Sequence, residues 1–203
     1  MEPNSDLLGF QFYSVAAGDE FIYAVEEINY RNTGAVDTIR YQIIDRILTE
    51  EEQGQTRFYS GFRYTKTAAG AESILSTLSI TIDNYSVLRR LGNTKEVHFS
   101  FPVKEGLTWD GIPSLDLVDE YAYFKAFQPY TLNDSIFNQS VQVIEEDNQD
   151  SLTALDKRVS VYAANLGPIY RLSSQIEFCT LSECFGLKKI EIGKTVRMRR
   201  IFN

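Results

Sequence analysis

Apolar and polar residues alternate along most of this chain with a period of two, the pattern of strands with one buried face. Glu20–Tyr30 places Phe21, Tyr23 and Val25 on one side, and Thr38–Leu48 places Ile39, Tyr41 and Ile43 on one side, with a bulge expected at Ile43–Ile44. Arg31-Asn32-Thr33-Gly34 between them reads as a turn, because Asn and Gly accept the left-handed backbone that a hairpin requires. Glu50–Gly54 follows as a polar connection. Further strand-like stretches are Thr56–Thr65, Ser73–Ile82, Tyr85–Leu91, Glu96–Val103, Asp119–Phe127, Ile136–Glu145, Pro168–Cys179, Phe185–Ile192 and Thr195–Phe202. A strand in roughly every ten residues predicts a mainly β fold: a single large curved antiparallel sheet, a half-barrel or open barrel, with at most one or two short helices.

Leu152–Ala164 fits two patterns. Leu152, Leu155, Val159, Tyr162, Ala163 and Leu166 recur at helical spacing, with Asp150 or Ser151 as N-cap and Gly167 as C-cap. Val159, Val161 and Ala163 also alternate as a strand would. The periodicity leaves both open.

Composition supports the β reading and removes several functions. The chain has 203 residues, enough for one domain spanning 1–203 with its own core, and its 12 Tyr and 13 Phe favour pleated surfaces. Its net charge of −8 argues against nucleic acid as a partner, since phosphate binding needs a basic stripe. One histidine, His98, leaves little for metal or general-base chemistry. Alternation in Glu96-Val97-His98-Phe99-Ser100-Phe101 puts His98 beside Glu96 and Ser100, as a solvent-side strand histidine, with Val97, Phe99 and Phe101 on the other face.

Cys179 and Cys184, four residues apart, are candidates for a disulfide across the neck of a hairpin loop, with two free thiols as the alternative. A disulfide would place the chain in an oxidising compartment. Ile192-Gly193-Lys194-Thr195 is no phosphate loop, because the glycine required five positions before Gly193 is Lys188. Glu145-Glu146-Asp147-Asn148-Gln149-Asp150 lacks EF-hand spacing and reads as a solvated turn. No catalytic residue, cofactor site or metal site stands out. Lys194, Arg197 and Arg199 form a candidate basic patch near the C-terminus, suited to an acidic partner or to protection of an edge strand.

Three segments carry a family resemblance: Phe101-Pro102-Val103-Lys104-Glu105-Gly106-Leu107-Thr108-Trp109-Asp110-Gly111, Val141–Asp147, and Tyr162-Ala163-Ala164-Asn165-Leu166-Gly167-Pro168-Ile169-Tyr170-Arg171. Their order and spacing resemble a group of uncharacterised lipoproteins from Bacteroidota, with a Phe-Pro…Trp-Asp-Gly stretch and a later Tyr-Ala…Gly-x-Ile-Tyr stretch. The second motif is also similar to a turn of periplasmic lipoprotein-carrier-like proteins, in which a curved sheet wraps an apolar cavity. Ile112 and Leu166 depart from the group's usual Asn and Val, and its middle-region tryptophans are missing. The resemblance implies export, with the leader removed, to the periplasm or to the outer membrane as a lipid-anchored protein. It also favours strand near Tyr162. Read alone, Met1–Asp6 has no leader character and would suit a cytoplasmic protein if Met1 is the native start.

The resulting expectation is an exported cell-envelope binding or interaction protein without catalytic activity, holding an apolar or amphipathic ligand such as a lipid in the concave sheet. Trp109, Tyr121 and Tyr123 are the candidate ligand or loop contacts, with Trp109 alternatively a core plug. A structural or assembly component acting on an envelope protein is the second expectation, and a carboxylate-based hydrolase is the third. Two buried acids within about 10 Å in an open cleft would mark that hydrolase.

Overall fold

The computed structural model describes residues 8–113, 118–148 and 152–202. Met1–Asp6, the Gln149–Asp150 end of the acidic run and the proposed cap at Asp150 or Ser151 lie outside them.

Among the described residues, twelve strands form one sheet, every pairing antiparallel. They are β1 (Glu20–Tyr30), β2 (Val36–Gln53), β3 (Thr56–Lys66), β4 (Glu72–Ile82), β5 (Ser86–Leu91), β6 (Thr94–Ser100), β7 (Thr108–Asp110), β8 (Glu120–Leu132), β9 (Ser135–Asn148), β10 (Ala154–Ala163), β11 (Gly167–Phe178) and β12 (Ile190–Arg200). Their spatial order is β6-β5-β4-β3-β2-β1-β12-β11-β10-β9-β8-β7. The chain therefore winds up and down around a ring, with β12 returning beside β1. The expected curved antiparallel sheet is the fold found, curled until its two edges meet.

That meeting is sparse in backbone bonds. The Val97 amide of β6 donates to the Gly111 carbonyl at 2.8 Å, and the Trp109 indole Nε1–H of β7 donates to the Val97 carbonyl at 2.8 Å. Tyr123 Oη completes the seam by donating to the Ser100 carbonyl at 2.9 Å and accepting the Ser100 amide at 3.0 Å. Closure of this kind protects edges that would otherwise template aggregation. A Cβ on Gly111 would run into the Tyr121 ring, so the Trp-Asp-Gly glycine is what lets the loop lie against β8.

Leu152–Ala164 is strand, not helix: β10 covers Ala154–Ala163. Cross-strand partners on both sides satisfy its backbone, and that outweighs the helical spacing of its leucines. Phe185–Ile192 is not the strand that its alternation suggested. Residues up to Lys189 belong to the β11–β12 connection, and pairing begins at Ile190. The bulge in β2 falls between Ile47 and Thr49, not at Ile43–Ile44.

Gly61 of β3 sits opposite that bulge, and a Cβ there would overlap the Arg46 carbonyl. Gly61→Ala is expected to destabilise the fold by about 3 kcal/mol, because backbone must move to admit the methyl. Urea unfolding measures this; an unchanged midpoint would show that the bulge relaxes freely.

One end of the barrel is packed with aromatics. Phe12, Tyr59, Phe99, Tyr121, Tyr123 and Tyr162 are fully buried there or just above. A 3-10 turn at Phe10–Phe12 lies across this end, anchored by Val103 N–H to the Leu8 carbonyl (2.9 Å) and Asn165 N–H to the Gln11 carbonyl (2.7 Å). A second cluster, Val159, Val161, Ala163 and Ile169, packs under Tyr130 and Phe137 of the long β8–β9 hairpin. Lys125 and Phe127 adopt positive φ where that hairpin slips register, bending it over its neighbours.

Candidate functional site

Above the aromatic end, the interior becomes charged. Asp45, Arg63, Glu96, His98 and Glu145 are all buried, and Arg89 and Arg171 join them from β5 and β11. Strand alternation explains most of these positions. Asp45 continues the inward phase of Tyr41 and Ile43, Arg63 is its cross-strand partner, and Arg89 pairs with Glu96.

The other two also follow alternation, His98 two residues on from Glu96 and Glu145 two on from Val143, and each sits at a bulge. Val87 opposes Phe99 and Leu88 opposes Val97, so His98 is the extra residue of a bulge, which leaves both His98 and Phe99 buried. His98 is only 5% exposed, which corrects the solvent-side reading. Val159 opposes Ile144 and Arg158 opposes Glu146, so Glu145 is likewise the extra residue of β9. It is 2% exposed, which corrects its assignment to a solvated turn.

Glu96 is the hub. Its Oε1 accepts the Tyr121 hydroxyl at 2.7 Å and Arg171 Nη2 at 3.4 Å; its Oε2 accepts His98 Nε2–H at 2.9 Å and Arg89 Nη2 at 3.4 Å. Four donors match the roughly four lone-pair sites of a carboxylate, so Glu96 is saturated. Because the carboxylate only accepts, His98 carries its proton on Nε2, and its Nδ1 accepts the Tyr162 hydroxyl at 3.0 Å. Burial would raise the Glu96 pKa, but His98, Arg171 and Arg89 outweigh it and hold the carboxyl far below the usual range. Burial foremost, then the Arg89 charge, pulls His98 down to about 4 against the pull of Glu96. At neutral pH the imidazole is therefore uncharged, and the two arginines supply the positive charge that Glu96 faces.

Glu145 is held by Arg171 Nη2 at 2.6 Å and by the Ser160 hydroxyl. Burial raises its pKa, and Glu96 nearby pushes the same way, against Arg171. Arg63 grips Asp45 through Nε and Nη2, both at 2.6 Å, a bidentate pair.

An open pocket of about 280 Å³ adjoins this layer, lined by Arg63, Arg89, Leu91, Thr94, Glu96, Arg171 and Met198. A gap walled by Tyr13, Phe21, Tyr23, Ile47, Leu78 and Ile80 holds about 20 Å³, room for about one water. The concave face is filled by side chains there, which runs against an acyl chain within the sheet.

The candidate contacts are placed as follows. Tyr121 and Tyr123 are buried at 1% and 2% exposure, and Trp109 stacks on Tyr123 with centroids 4.5 Å apart. All three form the seam. Lys194 and Arg197 are three residues apart and so point to opposite faces; Lys194 pairs with Glu27 at 2.9 Å and Arg197 with Glu26 at 3.1 Å. Arg199 shares the outer face with Arg197 and lines a shallow trough with Arg40 and Lys66. The three cations do not form one patch. Cys179 and Cys184 are joined as a disulfide with Cα atoms 5.8 Å apart, within the β11–β12 connection and not across paired strands. Among the described residues, no three His, Cys, Asp or Glu side chains gather as a metal site.

No family model and no curated protein matches this chain. Two solved structures are similar over nearly its whole length. One, from Bacteroides fragilis, is described as an exported protein with a YmcC-like fold; it has 11% identity, a TM-score of 0.48, and coverage of 94% of this chain and 99% of that one. The other, described as a lipoprotein of Parabacteroides distasonis, has 8% identity, a TM-score of 0.41, and coverage of 93% and 98%.

Proposed function

We propose that this chain is an exported cell-envelope protein that binds a ligand at the charged pocket of its barrel and breaks no bond there. The observation carrying this reading is the state of the pocket's groups. The carboxylate lining it is saturated with donors, whereas the arginines around it keep N–H groups to spare. A nucleophile or base would need a free lone pair, and Glu96 has none. The Cys179–Cys184 pair supports an oxidising compartment, and the motif resemblance supports export.

One observation favours hydrolysis as a second reading. Glu96 and Glu145 both contact Arg171 Nη2, so their carboxylates lie within roughly 6 Å, near the spacing of retaining glycosidases. The same contacts argue against it: the Arg171 guanidinium occupies the space where a scissile bond would have to sit. An assembly role through the outer Arg197 and Arg199 face is not favoured by any further observation.

Fractionation of the native host, probed with an antibody, is expected to find the protein in the envelope with its cysteines blocked to alkylation until reduced. Recovery in the cytosol with two free thiols would overturn the export reading. Turnover of aryl glycosides that is abolished by Glu145→Gln would overturn the non-catalytic one.

A further inference from the structure

The pocket beside this layer differs from an ordinary surface salt-bridge cluster in one respect: its carboxylate Glu96 is fully engaged, while its arginines keep N–H groups to spare. Glu96 accepts four hydrogen bonds, and Asp45 is engaged on both oxygens by Arg63. Arg63 has Nη1 left over. Arg89 spends only Nη2, on a 3.4 Å contact, and Arg171 spends only Nη2, shared between Glu96 and Glu145. None of the remaining guanidinium nitrogens is sealed from solvent without a partner, and all three arginines line the pocket. The side chains of Arg63 and Arg89 are each 11% exposed, so they are held in place by packing and do not wave in water.

Resting on the reading of a binding pocket, we propose that this site takes an oxyanion, a carboxylate or phosphate group of a small organic molecule, through the spare N–H groups of Arg63, Arg89 and Arg171. Planar guanidinium forks match such oxygens in pairs, and their fixed positions reduce the ordering cost of binding. A cationic ligand finds no free lone pair on Glu96, the carboxylate that lines the pocket. Leu91 and Met198 form apolar walls, which suit a short organic body attached to the anion. The volume of about 280 Å³ lies at the small end of ligand sites and excludes a bulky occupant.

The test is calorimetric titration of the full chain at low ionic strength with inorganic phosphate, glycerol 3-phosphate and succinate. Co-sedimentation with phosphatidylglycerol vesicles distinguishes a lipid headgroup from a free anion. The expected result is saturable one-to-one binding of at least one anion, weakened about tenfold or more by Arg89→Gln, which removes a charge-assisted donor. Thr94→Glu, at the exposed rim, is expected to weaken binding comparably without breaking any ion pair, which covers the case in which Arg89→Gln misfolds. Arg199→Gln on the outer face is expected to leave binding unchanged. Binding of none of the probes, or equal weakening by Arg199→Gln and Thr94→Glu, would overturn the proposal. The envelope reading would stand in either case, because fractionation tests it separately.

Discussion

Arg171→Met is expected to lower the thermal midpoint by about 10 °C at pH 7. Arg171 is the cation shared by Glu96 and Glu145, and the substitution leaves two buried carboxylates facing each other. Breaking a buried pair from one side costs about 3–5 kcal/mol. A domain of this size loses roughly 2–4 °C per kcal/mol. Adding Glu145→Gln to Arg171→Met is expected to recover part of the loss by removing one of the opposed charges. A single-substitution loss under about 2 °C would mean that water reaches this layer freely, as it does for surface pairs.

The second large effect is the acid limb of stability. His98 is buried uncharged with a pKa near 4, against about 6.5 when unfolded. Between those values the unfolded chain binds a proton that the folded chain does not, so stability falls as pH drops through that window. A separation of about 2.5 units corresponds to about 3 kcal/mol, complete near pH 4. Glu96 acts in the same direction at lower pH, since its depressed pKa makes its contribution available above the unfolded value and lost on further acidification. Glu145 opposes them, because its raised pKa favours the folded chain in acid. Chemical denaturation from pH 7 to pH 4 is expected to show the decline in the parent and a flatter profile in His98→Gln, which is less stable at pH 7 but has no imidazole to charge. Parallel profiles would remove His98 as the cause.

Much of the architecture was legible in the chain. Alternation in β1 and β2, with Asn32 and Gly34 between them, specified a hairpin, and the repetition of such segments specified a curved antiparallel sheet. The helical spacing of Leu152 to Leu166 misled only as far as periodicity was read alone, since β10 gains partners on both sides. The charged interior was less accessible. Asp45 could have been found, because it occupies the same phase as Tyr41 and Ile43, and Arg89 likewise falls in phase with Val87 and Leu91. Glu145 also continues the phase of Val141 and Val143, and His98 shares the face of Glu96 as alternation requires. What period alone did not show is that the Glu96 face is the inward one, because the bulge at His98 turns Phe99 to the interior as well. Nor does any local signal bring Arg171 to Glu96 across 75 residues of sequence. Ring closure makes that contact, and pairing of β12 with β1 is its prerequisite.

A charged layer lies inside the nearly closed β barrel, built around Glu96 and opening into an arginine-lined pocket. Because His98 is the only histidine, its imidazole gives a single NMR signal, and a pH titration of that signal reads the layer directly. The expected signal is that of a neutral Nε2–H tautomer at pH 7 that titrates near pH 4. A freely exchanging ring that titrates at about 6.5, the value for an exposed histidine, would contradict it.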